Sequence, residues 1–211
     1  MNRNYQKEME QIVKGLQGTR KSLLLHSCCA PCSSAVLEKL QEIFEITVFF
    51  YNPNISEAVE YKKRVEGQKR LIHAFNQKNP DCPIEIMEGN YEPDRFYEIA
   101  KGMEACPEGG ERCFRCFALR LEETARLAKE EQFDFFTTTL TISPLKNAAK
   151  LNEIGELMAE KYNGAFLPSD FKKKEGYKRS IELSKEYDLY RQNFCGCAFS
   201  KAESMKRQKE V

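Results

Sequence analysis

Short apolar runs along this chain take turns with longer stretches in which apolar residues recur every three to four positions, the signature of strands alternating with helices. Residues 5–17 read as an amphipathic helix outside the main sheet. Residues 22–26, Ser-Leu-Leu-Leu-His, are an apolar run that stops at Ser27-Cys28-Cys29-Ala30-Pro31-Cys32, and a helical pattern follows through Leu37, Leu40 and Phe44. A second buried strand is predicted over 46–51, closed by the turn Asn52-Pro53-Asn54. Residues 56–75 read as a helix with one charged face and Ser56 as its N-cap. A third strand over 83–87 leads to a short helix over 93–101, a loop over 102–112 and a helix over 113–130. A fourth strand over 133–138, a helix over 146–162 and a short fifth strand over 165–167 follow, and the remainder reads as helical and irregular.

This order predicts an α/β fold: a mostly parallel five-stranded sheet flanked by helices, with a helical C-terminal part. The expected organisation is one domain over 1–211, with 1–20 as an N-terminal helical extension and 170–211 as a helical C-terminal segment. Ligands of such sheets sit beyond the carboxyl ends of the strands. Residues 27–33, 52–54 and 139–146 fall at those ends.

Composition narrows the class. The 211 residues are 41% hydrophobic and 31% charged, enough apolar matter for a core and a polar surface to cover it. No run approaches the roughly 20 apolar residues of a membrane span, and 1–20 lacks an apolar signal-peptide core, so a cytoplasmic location without membrane contact is expected. Net charge is +1, but residues 171–211 hold eleven Lys or Arg against six Asp or Glu, an excess suited either to phosphates or to solvated helix faces.

Nine cysteines are then the main chemical signal, because reducing surroundings disfavour a disulfide framework and an odd count fits one poorly. Seven fall into three groups: Cys28-Cys29-Ala30-Pro31-Cys32, Cys113-Phe114-Arg115-Cys116 and Cys195-Gly196-Cys197. Thiolate sulfur is soft and suits zinc or iron–sulfur clusters, and two groups supply the four ligands of a cubane. The 80 residues between Cys32 and Cys113 are long for a zinc ribbon, and the adjacent pair Cys28-Cys29 exceeds what a closed tetrahedral site needs. Cys28, Cys29, Cys113 and Cys116 are the first choice of cluster ligands, leaving Cys32 for substrate or a second iron. A set with Cys32 in place of Cys28 competes with it. Cys195 and Cys197 read either as a dithiol whose strained, easily reduced disulfide relays two electrons or as two further ligands. Cys82 and Cys106 stand apart.

These groups and their flanks resemble the epoxyqueuosine reductases of the QueH type. The resemblance rests on Leu-Leu-His-Ser-Cys-Cys-Ala-Pro-Cys at 24–32 and Glu-Gly-Gly-Glu-Arg-Cys-Phe-Arg-Cys-Phe-Ala-Leu-Arg-Leu at 108–121. It also rests on Thr-Thr-Leu-Thr-Ile-Ser-Pro-Leu-Lys-Asn at 138–147, and on a stretch from Ser169-Asp170-Phe171-Lys172-Lys173 through Arg179-Ser180 and Tyr190-Arg191-Gln192 to Cys195-Gly196-Cys197. It implies reduction of the epoxide of epoxyqueuosine at the tRNA wobble position to queuosine, the last step of that synthesis. It further implies a [4Fe–4S] cluster with an iron nearby, no cobalamin, and a fold akin to the nucleotide α-hydrolase and PP-loop (HUP) group. Where that group carries a glycine-rich phosphate loop, this chain has 27–32, and loss of ATP use is inferred from it.

Opening the epoxide to an alkene takes two electrons and two protons and releases water, and the bond yields when its oxygen meets a Lewis acid or a proton. An iron at or beside the cluster is the expected Lewis acid, with Cys195 and Cys197 supplying electrons or protons and an external donor restoring them. Asp170, after the fifth strand, is a candidate ligand or proton donor, or else an N-cap. Lys146 at a helix start, Arg179, Tyr190, Arg191 and Lys172 to Lys174 are candidates for holding tRNA carrying epoxyqueuosine. Core packing for Tyr190 and a plain surface role for Lys146 are the alternatives. His26 either orients the cysteine loop, donates a proton or is a satisfied core residue, and His73 reads as solvated. The competing functions are a PP-loop-like iron–sulfur tRNA-thiolation enzyme needing ATP, a zinc-stabilised RNA-binding module and a general thiol–disulfide oxidoreductase.

Overall fold

A computed structural model describes residues 3–209. Four strands, β1 (Lys21–His26), β2 (Phe44–Phe50), β3 (Glu85–Glu88) and β4 (Phe135–Thr138), form one parallel sheet in the order β3-β2-β1-β4. The helices are α1 (Tyr5–Gly15), α2 (Ala30–Leu40), α3 (Ala58–Lys78), α4 (Pro93–Ala100), α5 (Glu111–Glu130), α6 (Ala148–Tyr162), α7 (Gly176–Glu186) and α8 (Ala198–Lys209). A single 3-10 turn over Thr139–Ile142 follows β4. No helix among the described residues is long and apolar enough to cross a membrane.

Leu23, Leu24 and Leu25 are fully buried because β1 is central and covered on both faces, which explains why it reads as an unbroken apolar run. Burial of each is worth about 1.5–3 kcal/mol. Leu23 and Leu25 join Ile46 and Val48 under α2 and α3, together with Met9 of α1 and Leu183 of α7. Leu24 and Phe49 point to the opposite layer, where Phe117 and Leu121 of α5 and Leu151 of α6 complete a second cluster. This is a three-layer α/β structure. Residues 1, 2, 210 and 211 of the two expected terminal segments lie outside the described residues.

Four predicted details change. The fifth strand shrinks to one parallel bridge, Phe136 to Phe166, made by Phe136 N–H on Ala165 O and Leu167 N–H on Phe136 O. Pairing stops there because Ser169 N–H, the next donor facing β4, goes to Asn152 Oδ1 at 2.8 Å and Leu167 O accepts from Thr137 Oγ1 at 2.8 Å. Phe44 is the first residue of β2, not the last of α2. The helix after β2 starts at Ala58 with Glu57 at its N-cap, and Ser56 Oγ instead accepts from Ala198 N–H at 2.8 Å. Lys146 precedes α6, whose cap is Asn147, with its side chain accepting from Lys150 N–H at 3.0 Å.

Strand order fixes where ligands gather. The chain runs outward from β1 to β2 and β3, then returns past β1 to β4, so the connections leaving β1 and β4 diverge at their carboxyl ends. The resulting crevice is the usual ligand position of an open parallel sheet.

Candidate metal centre

Cys28 and Cys29 follow β1, and Cys32 lies in the first turn of α2. Cys29 is extended (φ −177°, ψ 160°) immediately before the helix starts, and that change of backbone direction folds the three sulfurs together. All three lie within 4.8 Å of one another, with Cys28 and Cys29 Sγ at 3.8 Å. The loop is pinned from several sides. Ser27 N–H donates to Phe49 O at 2.9 Å, Asn52 Nδ2 donates to Ser27 O at 2.8 Å, and the Ser27 and Ser33 hydroxyls meet at 2.6 Å over Gln68 Oε1. Adjacent cysteines in an extended loop thus converge instead of diverging.

Cys113 and Cys116 both sit on α5, as expected, the helix beginning two residues earlier than predicted, at Glu111. One turn apart, they share a face. With Cys195 and Cys197 they line a small cavity of about 20 Å³. Cys28 and Cys32 line a neighbouring cavity of about 270 Å³ together with Lys146, Arg191, Phe194 and Cys195. Cys195 and Glu108 line both, so the three groups named from sequence meet around adjoining cavities. All nine cysteines are free thiols.

The Cys195-Gly196-Cys197 segment is held by α3. Buried Arg64 donates to Cys195 O at 2.8 Å and Phe194 O at 3.4 Å while pairing with Glu60 at 2.7 Å. Ser56 N–H donates to Gly196 O at 3.1 Å. A second arginine, Arg120 of α5, is 1% exposed. It donates from Nη2 to Asn52 Oδ1 at 2.5 Å and from Nε to His26 Nε2 at 3.2 Å, and its Nη1 has no partner. His26 is fully buried, its Nδ1 at 2.8 Å from Thr138 Oγ1. Burial, then the adjacent Arg120 charge, lower its pKa to about 3, so the ring is neutral.

The thiols are electrically distinct. Hydrogen bonds from Cys29 and Cys32 hold Cys28 well below the ordinary thiol value, with Lys146 and Arg120 adding to the effect. Cys29 and Cys32 are pushed up by sharing that thiolate. Burial raises Cys113 to about 11 and Cys116 to about 12, and raises Cys197 as well. Burial lowers the pKa of half-buried Lys146, but the sulfurs of Cys195, Cys28 and Cys32 raise it more and keep it charged.

Of the residues expected to hold substrate, Lys146 and Arg191 line the larger cavity. Arg191 is exposed and donates to Ser184 Oγ at 3.0 Å. Arg179 lies over a separate surface pocket, doubly bonded to Glu38 at 2.7 and 2.8 Å. Tyr190 sits under Lys63, with its hydroxyl 3.3 Å from Glu60, and lines neither cysteine cavity. Asp170 also lines neither and pairs with Lys172 at 2.8 Å. His73 is exposed. Cys82 lies apart, its carbonyl accepting from Gln41 at 2.7 Å, and Cys106 packs beside Gly110 outside both linings. Arg64 and Arg120 were not singled out from sequence. Arg120 could have been: it lies four residues after Cys116 on a helix, hence above it on one face. Arg64 sits in a charged helix and carries no local signal.

A family model described as "Epoxyqueuosine reductase QueH" matches residues 23–203. The chain belongs to the QueH family. Its relatives of that name include the Staphylococcus epidermidis protein, 43% identical over 201 residues that cover 93% of this chain and 84% of its own. The Streptococcus pyogenes serotype M1 protein is 42% identical, covering 93% and 78%, and the Thermotoga maritima protein 35%, covering 90% and 95%. QueH proteins are oxidoreductases by name, and the motif resemblance at 24–32, 108–121, 138–147 and 169–197 falls inside the matched span. In this QueH chain the first of those motifs is the one that gathers a three-sulfur group able to bind metal.

Proposed function

We propose that this protein reduces the epoxide of epoxyqueuosine at the wobble position of tRNA to the alkene of queuosine, at a cysteine-held iron–sulfur site, in the cytoplasm. Supporting this are membership of the QueH family and the meeting of three cysteine groups at the crevice beside β1 and β4.

The residues present fit such a cofactor. Their donor set is sulfur, soft and suited to iron–sulfur chemistry, and Arg120 Nη1 is a buried cationic donor without a partner beside it. Cys28, Cys29, Cys113 and Cys116 would hold a [4Fe–4S] cluster, and Cys32, whose sulfur joins the same triad, is free for an adjacent iron. Bound there, the cofactor supplies single electrons and Lewis acidity.

The chain's own groups do the rest. Lys146 and Arg191 hold the nucleotide's phosphates at the mouth of the larger cavity, while Phe194 and Tyr177 in its lining offer faces on which an extruded base stacks. Its volume is at the small end of ligand pockets, enough for one base without its neighbours. Cys195, bordering both cavities, and Cys197 act as a dithiol. Two thiols give up two electrons and two protons and close to a disulfide; the epoxide loses both carbon–oxygen bonds, forms the carbon–carbon double bond and releases water. An external thiol or one-electron reductant reopens the disulfide. Arg179 and Tyr190, already engaged by Glu38 and Glu60, lie outside direct contact with the reacting base, and Asp170 outside this scheme.

The test is anaerobic protein with reductant and tRNA bearing epoxyqueuosine, digested and analysed by nucleoside mass. Loss of one oxygen atom is expected. Cys29→Ala and Cys116→Ala should lose turnover while staying soluble, and full activity in both refutes the ligand set. Cys197→Ala should keep the brown chromophore and lose turnover; loss of colour makes Cys197 a ligand instead.

A further inference from the structure

Three arginines are almost wholly buried: Arg64, Arg112 and Arg120. Two have carboxylates, Glu60 at 2.7 Å from Arg64 and Glu203 at 3.6 Å from Arg112. Arg120 has no carboxylate partner among the described residues. Its nitrogen and oxygen partners are an amide oxygen of Asn52 and an imidazole nitrogen of His26, both neutral; Nη1 has no hydrogen-bond partner, and the Cys116 sulfur also approaches the guanidinium. Neutral acceptors satisfy hydrogen bonds without cancelling charge. A buried cation left uncompensated costs several kcal/mol, so a counter-charge is required within reach. Burial works against the Arg120 charge, the nearby sulfurs of Cys116, Cys28 and Cys195 favour it, and the guanidinium stays protonated. Cys116 lies one helical turn before it on α5, while Cys28 follows the strand whose last residue, His26, Arg120 binds. The side chain therefore bridges the cysteine groups carried by two different elements.

We propose that Arg120 is the fixed counter-cation of the sulfur site, offsetting the negative charge of its metallated thiolates and thereby setting the site's reduction potential. This rests on the iron–sulfur reading above. Arg120 is a positioning and tuning residue, bonded to Asn52 and His26 and not to substrate. The sign follows from charge. Each one-electron reduction, by reduced viologen in a titration, adds one negative charge and moves no proton on Arg120. A guanidinium held in a low-dielectric site stabilises the reduced form. Removing it disfavours reduction.

The experiment is an anaerobic redox titration of the iron–sulfur chromophore in the full-length protein, after iron and acid-labile sulfide have been measured. Arg120→Met is expected to make reduction at least tenfold less favourable, 59 mV for a one-electron couple. Arg120→Lys, which keeps the charge and loses the fork of donors, should stay within about threefold of the parent. Asn52→Asp offers Arg120 a carboxylate in place of the amide oxygen it now contacts but also loses the Asn52 Nδ2 bond to Ser27 O. It is read against Asn52→Ala, which loses that bond without adding charge, and relative to that control it should shift the equilibrium in the same direction as Arg120→Met. This comparison decides the matter if Arg120→Met does not fold or does not hold the chromophore. Equal potentials in the parent and both Arg120 variants, with Asn52→Asp no different from Asn52→Ala, overturn the inference, as do equal shifts in the Met and Lys variants, which would mean hydrogen-bond geometry and not charge. A parent protein without iron and sulfide refutes the iron–sulfur reading itself, a result distinct from unshifted potentials in a loaded protein.

Discussion

Replacing Gly196 by alanine should loosen the segment that carries Cys195 and Cys197, and the cost follows from two separate features. Gly196 has φ +125°, a conformation that L side chains rarely adopt. Backbone strain of this kind costs about 1–3 kcal/mol. An added Cβ would also lie 2.9 Å from Ile55 Cγ1 and 3.2 Å from Arg64 Nη1. Neither neighbour yields freely: Ile55 is 1% exposed, and Arg64 is fixed by Glu60 and the Cys195 carbonyl. Crowding in a packed site adds about 1–3 kcal/mol. Taking about 3 kcal/mol in all, the melting temperature of a chain this size falls by roughly 6–12 °C. The assay is thermal unfolding of metal-free, reduced protein followed by circular dichroism. Gly18→Ala is the control, because Gly18 has φ +81° and nothing within 4 Å of its added Cβ, leaving strain alone. A drop in Gly196→Ala no larger than in Gly18→Ala refutes the packing argument. Turnover should fall as well, since the Gly196 carbonyl is tied to Ser56 and its neighbours, Cys195 and Cys197, are the proposed dithiol.

Other substitutions probe the supports of the crevice. Asn152 is fully buried and meets both backbone groups of Ser169 at 2.8 Å, so Asn152→Ala leaves them unpaired and should lower stability by about 2–4 kcal/mol in urea unfolding; a loss under about 0.5 kcal/mol would show that water replaces the amide at no cost. Asp134 ties the starts of β1 and β4 by accepting from Ser22 N–H at 2.9 Å and pairing with Lys21 at 3.2 Å, which lower its pKa below the ordinary 3.8. A depressed carboxylate contributes stability above its unfolded pKa and loses it as pH falls through the folded one, so Asp134→Asn should cost at most about 1 kcal/mol at neutral pH and flatten the stability decline below pH 4; an unchanged acid limb in the variant contradicts the assignment.

Much of the fold was written in local pattern. The apolar run Leu23-Leu24-Leu25 announces a strand covered on both faces, and the helix–strand alternation around it dictates parallel pairing, because parallel neighbours need a crossover. The grouping of cysteines at 28–32 and 113–116 was equally visible, since a loop-to-helix junction and a helical turn bring near neighbours together without help from the rest of the chain. Residues 165–167 show the limit of such reading. Their apolar character was plain, but the side chains of Asn152 and Thr137 take the backbone groups that would continue the pairing and leave one bridge.

Other decisions needed the tertiary structure, because they depend on which surfaces meet across long stretches of chain. Sequence left open whether Cys32 joins Cys28 and Cys29, and the extended Cys29 followed at once by α2 draws all three sulfurs together. The approach of Cys195 to both other groups comes from Arg64 and Ser56, more than a hundred residues away, and no periodicity encodes it. Asp170 and Tyr190 looked like site residues from their motif and sit outside both cavities, while Arg120, inside a quoted motif and passed over, lies between the sulfur groups. A sequence states what each side chain is able to do. Only packing decides which charges are buried together without water to screen them, and that is where the chemistry of this site resides.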